Sequence, residues 1–216
     1  VKVVNVLLAR KEIQINQAMN DGCTPLAMAC CNGHVKVVKA LLARKEIQIN
    51  QATNGGFTPL YMACRIGYVK VVKALLARED IQINQAANNG ATPLYMACYN
   101  GHVKVVNALL AREEIQINQA ANEGVTPLYM ACQEGHVKIV NALLAKKKIQ
   151  INQAANDGAT PLYKACQNAH VNVVKALLAK KEIDINKLFG EWTPLAIALQ
   201  QGHTEIVALL RQHAPP

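Results

Sequence analysis

The triplet Thr-Pro-Leu occurs six times, starting at Thr24, Thr58, Thr92, Thr126, Thr160 and Thr193, a step of 34 residues four times and then 33. Each copy opens a similar short apolar run, best seen at Thr92-Pro93-Leu94-Tyr95-Met96-Ala97-Cys98. A period of this size leaves few folds open. Each unit is one supersecondary motif that cannot bury its faces alone, so neighbours must stack into a solenoid. The 216 residues therefore read as one array rather than as domains built around separate centres.

Within a unit, Thr92 before Pro93 predicts a helix N-cap followed by the residue best tolerated at the first helical position. Leu94, Met96, Ala97 and Cys98 form a first short helix, and Gly101 stops it. After His102, the 3/4 spacing of Val103, Val106, Leu109 and Leu110 marks a second helix, with Arg112 at its C-terminal end to complement the dipole. Ile115-Gln116-Ile117-Asn118 is an extended alternation, and Asn122-Glu123-Gly124 is a turn signal leading to the next triplet. Helices this short are marginal alone, so stacking must supply the stability.

This order of turn, Thr-Pro-Leu helix, Gly-His pair, Val-Val-x-x-Leu-Leu helix and hydrophobic-x-hydrophobic-Asn segment resembles the ankyrin repeat. The Gly-His pair stands at Gly33-His34, Gly101-His102, Gly135-His136 and Gly202-His203, with variants Gly67-Tyr68 and Ala169-His170. The resemblance covers essentially the whole chain. It implies an all-α fold: a solenoid of right-handed, stacked helix-turn-helix units with short β-hairpin-like loops. Two departures stand out. The family's usual His after Thr-Pro-Leu is Tyr61, Tyr95, Tyr129 and Tyr163, and Ala27 and Ala196. The usual Asp opening the hairpin tip is Met19, Thr53, Ala87, Ala121 or Ala155. The residue beyond the common 33-residue unit falls after the second helix, as in Arg44-Lys45-Glu46-Ile47, and predicts a longer helix end or a wider turn there.

The expected organisation is a single domain over 1–216. It comprises a partial leading repeat at 1–17, full repeats at 18–51, 52–85, 86–119, 120–153 and 154–186, and a C-terminal capping repeat at 187–216. Val1 opens inside a repeat without an initiator Met, which reads as a fragment. Val3, Val4, Leu7 and Leu8 are expected near an uncovered end, a place for end-to-end self-association. At the other end Lys187-Leu188-Phe189-Gly190-Glu191-Trp192 is off pattern, Gln200, Gln201, Thr204 and Glu205 are polar departures, and His213-Ala214-Pro215-Pro216 closes a cap whose outer face must tolerate water.

Composition narrows the function. Hydrophobic residues are 51% and charged residues 17%, as for an ordered, core-forming chain. No apolar run approaches the roughly 18 residues that span a bilayer. Cys30, Cys64, Cys98, Cys132 and Cys166 share one repeat position, leaving only Cys23 and Cys31 outside that column. Equivalent positions of stacked helices lie about 10 Å apart, too far for a disulfide. Small buried thiols in a reducing, intracellular (cytoplasmic or nuclear) compartment are expected. There is no serine, and no phosphate-binding Gly-x-x-x-x-Gly-Lys, His-Glu-x-x-His or Cys-x-x-Cys motif. No enzyme, cofactor or metal site is expected; the Cys and His columns run parallel instead of converging on one ion.

Comparison among the repeats locates the candidate contacts. Scaffold positions scarcely change, while a few columns vary. The turn reads Asp21, Gly55, Asn89, Glu123, Asp157, and the position before Thr-Pro-Leu reads Cys23, Phe57, Ala91, Val125, Ala159, Trp192. The end of the first helix reads Cys31-Asn32, Arg65-Ile66, Tyr99-Asn100, Gln133-Glu134, Gln167-Asn168. In the ankyrin family these columns lie on the hairpin tips and concave groove, which implies binding of a protein or peptide. Phe57, Arg65, Tyr99 and Trp192 are of types found at interface hot spots; drift at unconstrained exposed positions is the bland alternative, and Trp192 and Phe189 have a rival role packing the cap. The Tyr61, Tyr95, Tyr129, Tyr163 column is expected to pack between neighbours.

The net charge of +9 raises a second reading, nucleic acid or an anionic surface. Lys36, Lys70, Lys104 and Lys138 form one second-helix column, with Lys39, Lys73 and Lys175 one turn on. Helix ends add Arg44, Lys45, Arg78, Arg112, Lys146, Lys147, Lys148, Lys180 and Lys181. A solvated face with dipole-complementing ends accounts for them more simply, and no aromatics interleave for base stacking.

Overall fold

Every Thr of the six triplets caps a helix. Its Oγ1 accepts the N–H three residues on, from Ala27, Tyr61, Tyr95, Tyr129, Tyr163 and Ala196, at 3.0–3.1 Å. The following Pro takes the first helical position, where its missing N–H costs nothing. In this computed structural model, residues 2–10 and 12–213 are described. Val1, Lys11 and the closing Ala214-Pro215-Pro216 lie outside the described residues, as does the Val4 side chain.

The first helices are α2 (Pro25–Cys31), α4 (Pro59–Ile66), α6 (Pro93–Tyr99), α8 (Pro127–Gln133), α10 (Pro161–Gln167) and α12 (Pro194–Gln200). The second helices are α1 (Lys2–Leu8), α3 (Val35–Leu42), α5 (Val69–Leu76), α7 (Val103–Leu110), α9 (Val137–Leu144), α11 (Val171–Leu178) and α13 (Thr204–His213). They fall into two compact units, 1–115 and 116–216. In the first unit α2, α4 and α6 pack in one row and α1, α3, α5 and α7 in another. In the second, α8, α10 and α12 form one row and α9, α11 and α13 the other.

The core of each unit sits between its two rows. Leu26, Leu60, Leu94, Val71, Leu75 and Leu109 are essentially inaccessible in the first unit; Leu128, Leu162, Ile139, Leu143 and Leu177 are so in the second. Burying one such side chain contributes about 1.5–3 kcal/mol, which is what makes seven- and eight-residue helices stable here. The cysteine column lies in the same layer: Cys30, Cys64, Cys98, Cys132 and Cys166 are fully buried, and all seven cysteines are free thiols.

The turn after each second helix is wide, as the extra residue predicts. Arg44 N–H donates to Leu41 O at 3.0 Å and Ile47 N–H to Arg44 O at 3.4 Å, and the same pair of turns recurs around Arg112. The Ile-Gln-Ile-Asn segments, expected as an extended alternation, form no strands and turn in their second half, where Gln51 N–H donates to Gln48 O at 3.2 Å. Their second isoleucines, Ile15, Ile49, Ile83, Ile117 and Ile151, enter the core, and their asparagines clamp the next repeat: Asn50 Nδ2 donates to Asp80 O at 2.7 Å while its Oδ1 accepts Gln82 N–H at 2.9 Å. Asn16, Asn118 and Asn152 repeat this two-way grip.

The last repeat differs from the others in its hairpin. Phe189 and Trp192 exchange backbone hydrogen bonds at 2.9 and 3.0 Å, the sole β-bridge among the described residues. Phe189 packs its ring 4.8 Å from that of Tyr163, with Lys164 Nζ 5.8 Å from its centroid. Phe189 thus closes the cap, while Trp192 stays 40% exposed. At the leading end Val3 and Val6 are largely exposed.

Candidate binding surface

The variable columns rest on an unvarying frame. Each hairpin tip closes on itself: Thr53 N–H donates to Phe57 O at 3.1 Å and Gly56 N–H to Thr53 O at 2.9 Å. Tips are then tied to their neighbours. Asn54 N–H reaches Asp21 O at 2.9 Å, Asn88 N–H reaches Gly55 O at 3.1 Å, and in the second unit Asn156 N–H reaches Glu123 O at 2.9 Å. Asparagine side chains reinforce the row, as Asn54 Nδ2 does on Asn20 O and Asn88 Nδ2 on Asn54 O. The backbone of Asp21, Gly55 and Glu123 is therefore held, and the side chains of Asp21, Asn89, Glu123 and Asp157 are exposed. Three also brace their own turn, since a side-chain oxygen of Asp21, Asn89 and Asp157 accepts the N–H two residues on at 2.8–3.1 Å.

The first-helix ends are anchored by a device that sequence reasoning missed. His102 Nε2 donates to Arg65 O at 3.1 Å, His170 Nε2 to Gln133 O at 2.8 Å, and His203 Nε2 to Gln167 O at 3.2 Å. The histidine of one repeat thus grips the carbonyl of a variable residue in the repeat before it. The Gly-His recurrence was the available signal, read only as a helix boundary. The close approach requires glycine at Gly67: its φ is 90°, and a Cβ there would sit 2.6 Å from His102 Nδ1. These bonds, with the asparagine grip, supply inter-repeat polar contacts in a chain that lacks the usual histidine after Thr-Pro-Leu.

Side chains at these ends differ between the units. In the first, Asn32, Arg65 and Asn100 are exposed, Cys31 is half-buried, and Ile66 and Tyr99 leave 40% and 43% of their surface open. In the second, Gln133 and Gln167 are half-buried and Glu134 is exposed, with Gln133 Nε2 donating to Glu134 Oε1 at 3.0 Å. The first unit thus presents apolar, aromatic and cationic groups; the second presents amides and a carboxylate.

The column before Thr-Pro-Leu is corrected in part. Cys23 is only 6% exposed, and Ala91, Val125 and Ala159 at the same repeat position are likewise buried. Cys23 therefore leaves the candidate surface. Phe57 is half-buried, stacked on Tyr61 at 4.9 Å, and Trp192 remains accessible. The tyrosine column packs: Tyr61, Tyr129 and Tyr163 are buried and Tyr95 is half-buried. Burial pushes the Tyr61 and Tyr163 hydroxyls above their ordinary range.

Comparison with known proteins agrees with this geometry. A family model described as ankyrin repeats in three copies matches residues 1–87, 79–155 and 147–215. The chain belongs to the ankyrin-repeat family. Among solved structures, the human ASB11 ankyrin repeat domain superposes with a TM-score of 0.74 at 31% identity, covering 89% of this chain and 85% of that one. No curated protein matches the sequence. Ankyrin repeats are in general protein-binding modules, and nothing in the chain points to catalysis. Among the described residues no helix is long and apolar enough to cross a membrane, and no group of three His, Cys, Asp or Glu side chains could hold a metal ion.

Proposed function

We propose that this ankyrin-repeat chain is a non-catalytic scaffold that binds a protein or peptide across its hairpin tips and first-helix ends. The observation that carries the reading is the exposure of Ile66 and Tyr99 beside Arg65 on a frame otherwise bonded repeat to repeat. Aromatic and arginine side chains on a rigid support are the types that dominate interface energetics, because little conformational freedom remains to be lost on binding. Asp21, Asn32, Asn89 and Asn100 would form the polar rim in the first unit. Glu123, Gln133, Glu134, Asp157, Gln167 and Trp192 would add contacts in the second. The all-thiol cysteine complement supports an intracellular, reducing location.

The test is affinity capture from lysate followed by titration of the recovered partner against Tyr99→Ala and Arg65→Ala. A loss of about tenfold or more for each variant is expected of hot-spot residues. Unchanged affinity for both would overturn the assignment. Loss only on Lys70→Glu with Lys104→Glu, together with sensitivity to salt and nuclease, would indicate phosphate contacts through the second-helix lysines instead.

A further inference from the structure

The wide turns after the second helices carry a charge pattern that the groove reading does not use. In the first unit they read Arg44-Lys45-Glu46, Arg78-Glu79-Asp80 and Arg112-Glu113-Glu114. There each arginine is neutralised in place, with Arg44–Glu46 at 2.5 Å, Arg78–Asp80 at 2.8 Å and Arg112–Glu114 at 2.7 Å. The same guanidinium also seals the end of the preceding second helix, as Arg78 Nη1 does on Leu42 O at 2.7 Å.

The second unit breaks this pattern. Its turns read Lys146-Lys147-Lys148 and Lys180-Lys181-Glu182. Lys180 occupies the arginine position, yet it reaches neither Leu144 O nor Glu182 as Arg78 reaches Leu42 O and Asp80. A cavity of about 340 Å³ opens between the two turns, lined by Leu144, Lys146, Lys147, Ile149, Ile151 and Lys180 among others. Leu144 and Ile151 are buried and Ile149 is half-buried, so the floor is aliphatic. Lys147, Lys148 and Lys181 are exposed around it, and the local acids are Glu182, on the cavity wall, and Asp184.

We infer that this edge of the second unit is a docking site for an acidic peptide segment of a partner protein, one that sets an aliphatic side chain into the cavity and carboxylates against the surrounding lysines. Charge complementarity selects an anion, and the aliphatic floor selects a peptide. A nucleic acid strand would find no aromatic side chain to stack on, and Glu182 would oppose a continuous run of phosphates. The site is separate from the hairpin tips and first-helix ends, and each can fail without the other.

The experiment is fluorescence anisotropy on the full chain near physiological salt, with three labelled probes: an oligoglutamate peptide with a central leucine, the same peptide without the leucine, and a short single-stranded DNA. Lys147→Glu with Lys181→Glu should weaken the leucine peptide about tenfold or more. Lys39→Glu with Lys73→Glu makes the same charge change in the first unit and should leave binding within about twofold. Circular dichroism should match the parent for both. Removing the leucine should also weaken binding. Equal losses in the two double variants, indifference to the leucine, or no binding by the parent chain would each overturn the proposal, and tighter binding of DNA through the same lysines would overturn it in favour of a phosphate surface.

Discussion

The guanidinium of Arg78 bridges two repeats, donating through Nη1 to Leu42 O at 2.7 Å and through Nε and Nη2 to the Asp80 carboxylate at 3.0 and 2.8 Å. A second helix ends with carbonyls that have no partner inside the helix, and a planar fork can satisfy one of them while staying paired with an acid. We expect Arg78→Ala to cost about 1–2 kcal/mol, the scale of a charged hydrogen bond to a partly buried carbonyl. The converse change, Lys180→Arg, would face Leu144 O and Glu182 and should add about 0.5–1 kcal/mol. Urea denaturation of both variants measures this, and a midpoint that falls for Lys180→Arg would contradict it.

Ala169 is the single non-glycine residue at positive φ among the described residues, at 60°, where other repeats place glycine. A left-handed residue with a Cβ costs about 1–2 kcal/mol, of which a glycine would return part as unfolded-state entropy. Ala169→Gly should therefore stabilise by about 0.5–1 kcal/mol, a rise of roughly 1–4 °C in Tm for a chain of this size. Gly67→Ala should lower stability by about 2 kcal/mol or more, since it adds the contact with the His102 ring to the same strain. Differential scanning calorimetry of the pair gives both signs.

Of the seven cysteines only Cys31 is not buried. Burial raises the Cys64 thiol well above its ordinary value and pushes Cys166 up to about 12, so neither supplies thiolate near neutral pH. One thiol should react rapidly with a maleimide or disulfide reagent under native conditions, and Cys31→Ala should abolish that phase. The remaining six should react at the rate of unfolding. Mass spectrometry of timed quenches counts the adducts; a second fast adduct in the Cys31→Ala variant would refute the assignment.

The Asp80 carboxyl is held below its ordinary value of 3.8, first by the hydrogen bonds from Arg78 and then by the attraction of its charge. A carboxyl depressed in the folded state stabilises above its unfolded pKa and loses that contribution as pH falls through the folded value. Asp80→Asn should thus lower stability near neutral pH and converge on the parent as pH falls below the depressed folded-state value. Exposure and salt screening keep the difference at or below about 1 kcal/mol. Urea midpoints as a function of pH test it, and a gap that widens toward acid would be the wrong sign.

Much of the architecture was legible in the chain because its signals are local. Thr24 caps because its own hydroxyl reaches a backbone N–H three residues away, and Gly67 turns because it lacks a Cβ; neither needs a distant partner. The Thr-Pro-Leu period and the 3/4 spacing of Val103, Val106, Leu109 and Leu110 then dictate how many helices form and which face each buries. The variable columns were visible for the same reason, as differences within a fixed register.

What only the tertiary structure decided are the relationships between repeats. That His102 grips Arg65 O, that Asn50 clamps the segment around Asp80, and that Arg78 seals the helix ending at Leu42 depend on side chains meeting backbone 30 or more residues away. Cys23 and Phe57 share a column that varies like a surface, yet folding buries one and half-buries the other, since a residue beside the hairpin is covered according to its own bulk and that of its neighbour. The difference between Arg78 and Lys180 is likewise a property of packing: lysine and arginine carry the same charge in a sequence, but the guanidinium fork of Arg78 holds an acid and a carbonyl at once, which a single ammonium does not match.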